Sequence, residues 1–326
     1  AFADPLASLS QTAASSLQTN RNAPRQATCG AAGWVAAAGG VGGRLWPGQR
    51  AEDAECPSRP VGGPRRLYGP GMTDHPADGG PPPPADIASP GPDTANFPNS
   101  PFTLPKGRSY IESAPGTYSL PGSDGTPGTW SWPFLMRTGL TDSCELRILG
   151  QGPTVVGAAD GQPGYDGFAP LAFDLKVHLW GDQETLWWPA VGIEVYVLTG
   201  IASKPFLLGT EPAMELLFDH LLPGDWLLEW NIGLFGNGGP GIPSALSLPD
   251  LGMQWALQKQ VTPAFAAFVQ GFYNAAGIPF FPSDLVVGMG CQWNVTQRLA
   301  VYTSYNWSVD GMGSPSGGIS GFAYAY

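Results

Sequence analysis

The sequence predicts an all-β chain: a twelve-stranded antiparallel transmembrane β-barrel over residues 108–326, preceded by a Pro/Gly-rich arm of little regular structure over residues 1–107. Three observations carry this expectation. Apolar and polar residues alternate with a period of two through the second part of the chain, the period of a strand with one apolar face. The connections between these segments are alternately short and long, as in membrane barrels with tight turns at one rim and loops at the other. The closing segment, Gly318–Tyr326, is uncharged and places Phe322, Tyr324 and Tyr326 on one face.

Composition frames the rest. Charged residues make up only 13% of the chain while aromatic residues reach 11%, an unusual balance for a surface that meets water. There is no run of 18 or more apolar residues, so no transmembrane helix is expected; barrel strands do not need one. No charged-then-apolar N-terminal segment is present, and Ala1-Phe-Ala-Asp4 fits a processed N-terminus. The net charge is −11. Up to Lys106 eight acids balance eight bases, so the excess of acid lies wholly in the second part. No basic footprint for nucleic acid exists.

The arm holds 17 of the 35 prolines, including Pro81 to Pro84, and glycine pairs such as Gly39-Gly40. Only Leu6 to Leu17 is rich enough in alanine for a helical turn. Such a segment cannot bury enough apolar area by itself to offset its ordering entropy. It therefore needs another surface: partner proteins, a second copy of the chain, or the barrel itself. Its cysteines, Cys29 and Cys56, could close a loop of about 27 residues in an oxidising compartment, worth about 3 kcal/mol; two free thiols are the alternative.

Twelve strands are expected from Ser109 onward. The first runs Ser109–Leu120 and the second Thr129–Arg137, with Gly139-Leu-Thr-Asp142 as the turn into the third, Cys144–Val156. After a glycine-rich loop, the fourth covers Ala169–Trp180 and the fifth Leu186–Leu198. The sixth is Glu211–Leu222, and Pro223-Gly224 turns into the seventh, Trp226–Phe235. Ser247–Gln258 is the eighth, with Lys259–Pro263 as its turn, and Ala264–Tyr273 the ninth. Asp284–Trp293, Arg298–Trp307 and the closing segment complete the set.

The fourth strand states the two-sided pattern most clearly: Leu171, Phe173, Leu175, Val177 and Leu179 alternate with Asp174, Lys176 and His178. In a soluble sandwich the leucines would form the core; in a membrane barrel they meet lipid and the charges face the lumen. Tryptophans near strand ends (Trp130, Trp132, Trp180, Trp187, Trp188, Trp226, Trp293, Trp307) favour lipid, since aromatic girdles sit at both interfaces. Glycine and small polar groups on the other face suit a lumen. The expected lumen-lining charges are Glu145, Arg147, Asp174, Lys176, His178, Glu194, Glu215, Asp219, Glu229, Asp250 and Arg298. They read either as solvated, mutually paired groups or as an acid-dominated lining that favours cations and neutral solutes over anions. A twelve-stranded barrel is narrow, so an inserted loop or the arm could close it.

The segment Gly321-Phe-Ala-Tyr324-Ala-Tyr326 resembles the closing signal of bacterial outer-membrane barrels. That resemblance implies recognition by the barrel-assembly machinery through Gly321, Tyr324 and Tyr326, an outer-membrane location, and an arm in the periplasm. Phe134-Leu-Met-Arg-Thr-Gly-Leu-Thr-Asp-Ser-Cys-Glu-Leu-Arg-Ile148, with the later Trp293-Asn-Val-Thr-Gln-Arg-Leu299 turn, resembles outer-membrane proteins grouped as putative phenol-degradation MetA-type transporters. The resemblance covers about residues 108–326 and implies a channel for small, often hydrophobic compounds; a membrane-anchoring subunit whose arm binds neighbours is the alternative.

Signals for other chemistry are missing. His75, His178 and His220 have no metal-ligand spacing, and Cys29, Cys56, Cys144 and Cys291 form no CxxC, so neither a metal nor a cofactor is expected. No phosphate-cradling loop or nucleophile elbow occurs. Ser, His and Asp side chains follow no recognisable catalytic order, so no enzyme is expected, although a hydrolase site assembled only in space is the alternative.

Overall fold

In a computed structural model the described residues are 85–122, 127–159, 161–182, 185–207, 210–236, 249–275, 284–309 and 316–326. Cys29, Cys56, His75 and most of the arm lie outside them. No helix among the described residues is long and apolar enough to cross a membrane.

Sixteen strands form one antiparallel sheet. Twelve of them close the barrel: β1 (Ser109–Ser113), β4 (Phe134–Thr141), β5 (Cys144–Gly150), β8 (Leu171–Trp180), β9 (Ala190–Leu198), β10 (Glu211–Leu222), β11 (Trp226–Gly236), β12 (Pro249–Thr262), β13 (Phe265–Ala275), β14 (Asp284–Asn294), β15 (Leu299–Ser308) and β16 (Gly317–Ala325). Each pairs with its neighbour in that order, and β16 returns to β1 with Ile111 opposite Tyr324. Closure leaves no edge, which is the condition for β-structure in lipid. The other four, β2 (Thr117–Ser119), β3 (Thr129–Ser131), β6 (Pro153–Val156) and β7 (Tyr165–Phe168), extend the wall beyond β16 at the long-loop rim.

These four strands show where the expected boundaries shift. The first three predicted strands are each broken in two, at Pro115, Pro133 and Gly152, while the fourth starts at Leu171, after Pro170, and β7 lies in the stretch read as a glycine-rich loop. Proline cannot donate to a ladder, and Gly152 takes a φ of 60° that most residues avoid. The second strand runs on through Gly139 to Thr141, and a bulge between Gly139 and Thr141 absorbs residues read as the turn. Similar bulges fall at His178/Trp180 and Gln260/Thr262, so β12 extends to Thr262 and the expected turn at Lys259 belongs to the strand. All three bulges lie at the short-turn rim, where extra residues are most easily accommodated. The fifth strand starts at Ala190 rather than Leu186. Pro189 ends the ladder, and Leu186-Trp187-Trp188 instead folds back against β10, with Leu186 bridged to Leu221.

The alternation resolves as expected for lipid outside. Phe173, Leu175, Met214, Leu234, Met253, Val287 and Met289 are exposed outward, while Asp174, Lys176, Asn231 and Gln254 are buried inward. Exposed Trp130, Trp132 and Trp307 ring the long-loop end, and Trp180, Trp187, Trp188, Trp226 and Trp293 the short-turn end. An apolar band bounded by two aromatic belts is what a bilayer-spanning wall needs.

Candidate functional site

The barrel interior is occupied by the chain's own residues 85–107. Ala85, Ile87 and Leu104 pack with Tyr110, Ala300, Ala323 and Ala325 on the wall formed by β1, β15 and β16. Ile87 N–H donates to Gln297 O in the β14–β15 turn, so this leg begins at the short-turn rim. The segment then rises inward. Thr94 donates to Glu112 through its N–H (2.8 Å) and its hydroxyl (2.6 Å). Phe97 N–H donates to Gln270 Oε1 (2.9 Å), and its ring meets Phe272 edge-on. The return leg descends through Asn99, whose amide bridges both Glu194 oxygens at 3.1 Å. Leu104 N–H donates to Glu145 Oε2 (2.7 Å), and Thr103 Oγ1 to Asp142 O at the β4–β5 turn. The segment is thus a hairpin-shaped loop inserted from the short-turn rim.

Glycines in the wall let it approach. A Cβ at Gly139 would run into the carbonyls of Leu104 and Pro105, and one at Gly192 would lie 3.0 Å from Pro101 Cα. At neither position does the strand itself call for glycine; the loop behind it does.

Asp93 is the one fully buried charge of the loop among the described residues, and it meets three cations. Its Oδ2 lies 3.3 Å from Arg137 Nη2 and 3.5 Å from Arg147 Nη2, and is ion-paired with Lys176. Arg137 uses its whole donor fork: Glu145 takes Nε and Nη2 at 2.7 and 3.1 Å, Glu112 and Gly91 O take Nη1 at 3.2 and 3.0 Å, and Asp93 faces Nη2. Arg147 pairs with Asp174 at 2.9 Å and with Glu194. All of these side chains are buried almost completely. Charges so far from water are tolerable only when paired in this way.

Of the expected lumen residues, Glu145, Arg147, Asp174, Lys176 and Glu194 come together around Asp93. Glu215 is buried beside Asn231, which donates to it at 3.1 Å. Asp219 accepts from Ser100 (3.0 Å) and Glu229 from Asn96 (2.6 Å), so both also touch the loop. His178 is half-buried, stacked on Phe102 with ring centroids 5.1 Å apart, and its ring nitrogens face Pro101 O and Gly181 O, not a serine. Arg298 is exposed in the turn before β15 and does not reach the interior. Asp250 begins β12, and its side chain lies outside the described residues. Glu112, Arg137 and Asp93 belong to the cluster although the sequence pattern did not single them out. Arg137 continues the inward phase of Leu135, which was the available signal. Among the described residues of β12 to β15 the buried inward polar groups are neutral: Gln254, Gln270, Ser304 and Asn306.

In the closing segment, Tyr326 exchanges two backbone hydrogen bonds with Ser109, Tyr324 is exposed outward, and Gly321 lies under Ser113 O and the Tyr302 hydroxyl.

A closed antiparallel wall, apolar outside and charged inside, defines a transmembrane β-barrel of the outer-membrane class. No protein-family model matches the chain, and no curated protein matches it. Among solved structures it is similar to an outer membrane channel from Pseudomonas putida F1, at 12% identity and a TM-score of 0.47, over 70% of this chain and 99% of that one. It is also similar to the KdgM porin in complex with disordered oligogalacturonate, at 7% identity and 0.44, over 67% and 99%. The NanC porin follows at 7% and 0.44, over 67% and 98%. At these values the likeness extends to no site and no solute.

Proposed function

We propose that the protein is an outer-membrane channel for passive passage of small solutes, with residues 85–107 narrowing its lumen. One observation carries the reading: charged and amide side chains line the inside of the wall, and a cleft beside the loop opens at the short-turn rim between Asn96, Ser100, Glu229, Gln292 and Asn294. A barrel that served only as an anchor could fill its interior with apolar side chains, as small barrels do. Support for an acid-dominated lining comes from the count among the described residues, where seven wall carboxylates (Glu112, Glu145, Asp174, Glu194, Glu215, Asp219, Glu229) face three cations. That balance supports preference for cations and neutral solutes. The likeness to phenol-degradation MetA-type transporters, on the Phe134–Ile148 and Trp293–Leu299 stretches, agrees with a channel. Closing-strand recognition by the assembly machinery, through Gly321, Tyr324 and Tyr326, and a periplasmic arm are parts of the same reading.

The second reading, a membrane-anchoring subunit whose arm binds neighbours, is favoured by how firmly the loop is tied into the wall. Conductance of the purified full chain in planar bilayers separates the two. Stepwise current in salt supports the channel; a silent barrel that stays silent after the loop's ties are cut leaves the anchor.

A further inference from the structure

Asp219 on β10 and Glu229 on β11 are direct cross-strand partners with both side chains inward, 5% and 6% exposed. Like charges placed opposite each other in a ladder repel, and burial takes away the water that would screen them. The carboxylates around Asp93 escape this conflict through Arg137, Arg147 and Lys176. This pair does not: among the described residues neither member is in an ion pair. Only neutral donors reach them, Ser100 Oγ on Asp219 and Asn96 Nδ2 on Glu229. Asp219 Oδ1 is buried without a partner.

The surroundings lead a ligand to the pair. Glu229 lines the cleft that opens at the short-turn rim, and no other ionisable side chain lines it among the described residues. Asn96 and Ser100, which hold the two carboxylates from the loop side, line it too. A small positive solute moving along this cleft meets amide and hydroxyl dipoles and then the Glu229 carboxylate, with Asp219 next to it on the neighbouring strand.

We propose that Asp219 and Glu229, with the Ser100 hydroxyl and the Asn96 amide oxygen, form a binding site for a small monovalent cation of the potassium, sodium or ammonium kind. No group of three or more His, Cys, Asp or Glu side chains gathers to hold a metal among the described residues. Divalent ions ask for six or more oxygens in a tighter shell. Two carboxylates beside an open, polar-lined cleft suit an ion that keeps part of its water. The site stands on this geometry alone; its use as a station for permeating cations rests on the channel reading.

The test uses the full chain in detergent, unfolded with urea at constant ionic strength in potassium chloride or in chloride of the bulky cation N-methylglucamine. The wild-type midpoint should rise with potassium concentration and saturate. D219N/E229Q should lose that rise and, in N-methylglucamine, be more stable than the wild type, because its repulsion is gone. E215Q, away from the cleft, should keep the rise. A wild-type midpoint indifferent to potassium overturns the site and leaves a proton as what neutralises the pair; a rise that survives in D219N/E229Q overturns it as well. Bilayer conductance read on the same proteins keeps the two ideas separate. Potassium-dependent stability in a silent barrel upholds the site and ends the channel, whereas current without it does the reverse.

Discussion

Asp93 and Arg137, 3.3 Å apart and both shut away from water, join the inserted loop to the barrel wall. The carboxylate comes from a segment with no regular structure and the guanidinium from β4. The wall's cations are otherwise compensated from within the wall: Arg137 by Glu145 and Glu112, Arg147 by Asp174 and Glu194. Lys176 has its ion pair only with Asp93 among the described residues.

Asp93→Asn should therefore unseat the loop while sparing the barrel. Removing one partner of a buried pair costs about 3–5 kcal/mol, because a charge is left stranded, and here the stranded group is Lys176. The measurements are protease cleavage within residues 85–107 and single-channel conductance, both of which should increase. Adding Lys176→Met removes the stranded charge and should restore part of the protection. If D93N leaves cleavage and conductance as in the wild type, the ion cluster does not hold the loop.

Gly139→Val tests the same seating sterically. The new side chain would occupy the place of the Leu104 and Pro105 carbonyls, so the return leg has to move. Valine itself is favourable in a strand, and the wall should close normally. The expected result is a heat-resistant folded barrel whose loop is open to protease. Loss of the folded form would instead place the importance of Gly139 in the strand bulge.

Leu175→Arg distinguishes lipid from water outside the wall. Leu175 is exposed on β8 midway along the strand. On a lipid face near the bilayer centre arginine destabilises by about 2–4 kcal/mol. On a water-facing strand the same change stays within about 0.5 kcal/mol. Folding into lipid vesicles, followed by urea titration, reads the difference.

How much of this was legible in the sequence follows from which residues repeat. Strand β8 announces its two faces because Leu171 to Leu179 and Asp174 to His178 alternate without interruption, and β10 through β16 were placed to within a few residues on the same ground. Leu186-Trp187-Trp188 misled because aromatic and aliphatic residues favour strands, whereas the contact that captures them, Leu186 on Leu221, is invisible in local sequence. Glu112 was missed because β1 has one apolar residue, Ile111, on its outward side between Ser109 and Ser113, too little to fix the phase. The fate of residues 85–107 was open: they have no period, and their partners are remote in the chain, 208 residues away for Thr94 and Tyr302. A narrow twelve-stranded barrel made an internal occupant reasonable, but nothing in the segment marks Asp93 as the residue that meets three cations.

Whether solutes pass beside a seated loop or only after it leaves is decided by pinning it. A Cβ at Gly192 would lie 3.1 Å from Pro101 Cβ, close to the ~3.5–4.5 Å that a disulfide spans between its β-carbons. Pro101→Cys with Gly192→Cys, in a chain whose native cysteines are replaced by serine, should therefore bridge the return leg to β9. If the loop is a gate, the oxidised protein conducts poorly and reduction restores current. If the cleft between Asn96, Glu229 and Asn294 is the route, oxidised and reduced proteins conduct alike, and D219N/E229Q changes the current in both. Equal conduction with no effect of that double substitution would move the pathway away from the cleft altogether. Each outcome assigns the loop a different role, and the bridge is chosen because it fixes the segment's position without altering any charge in the lumen.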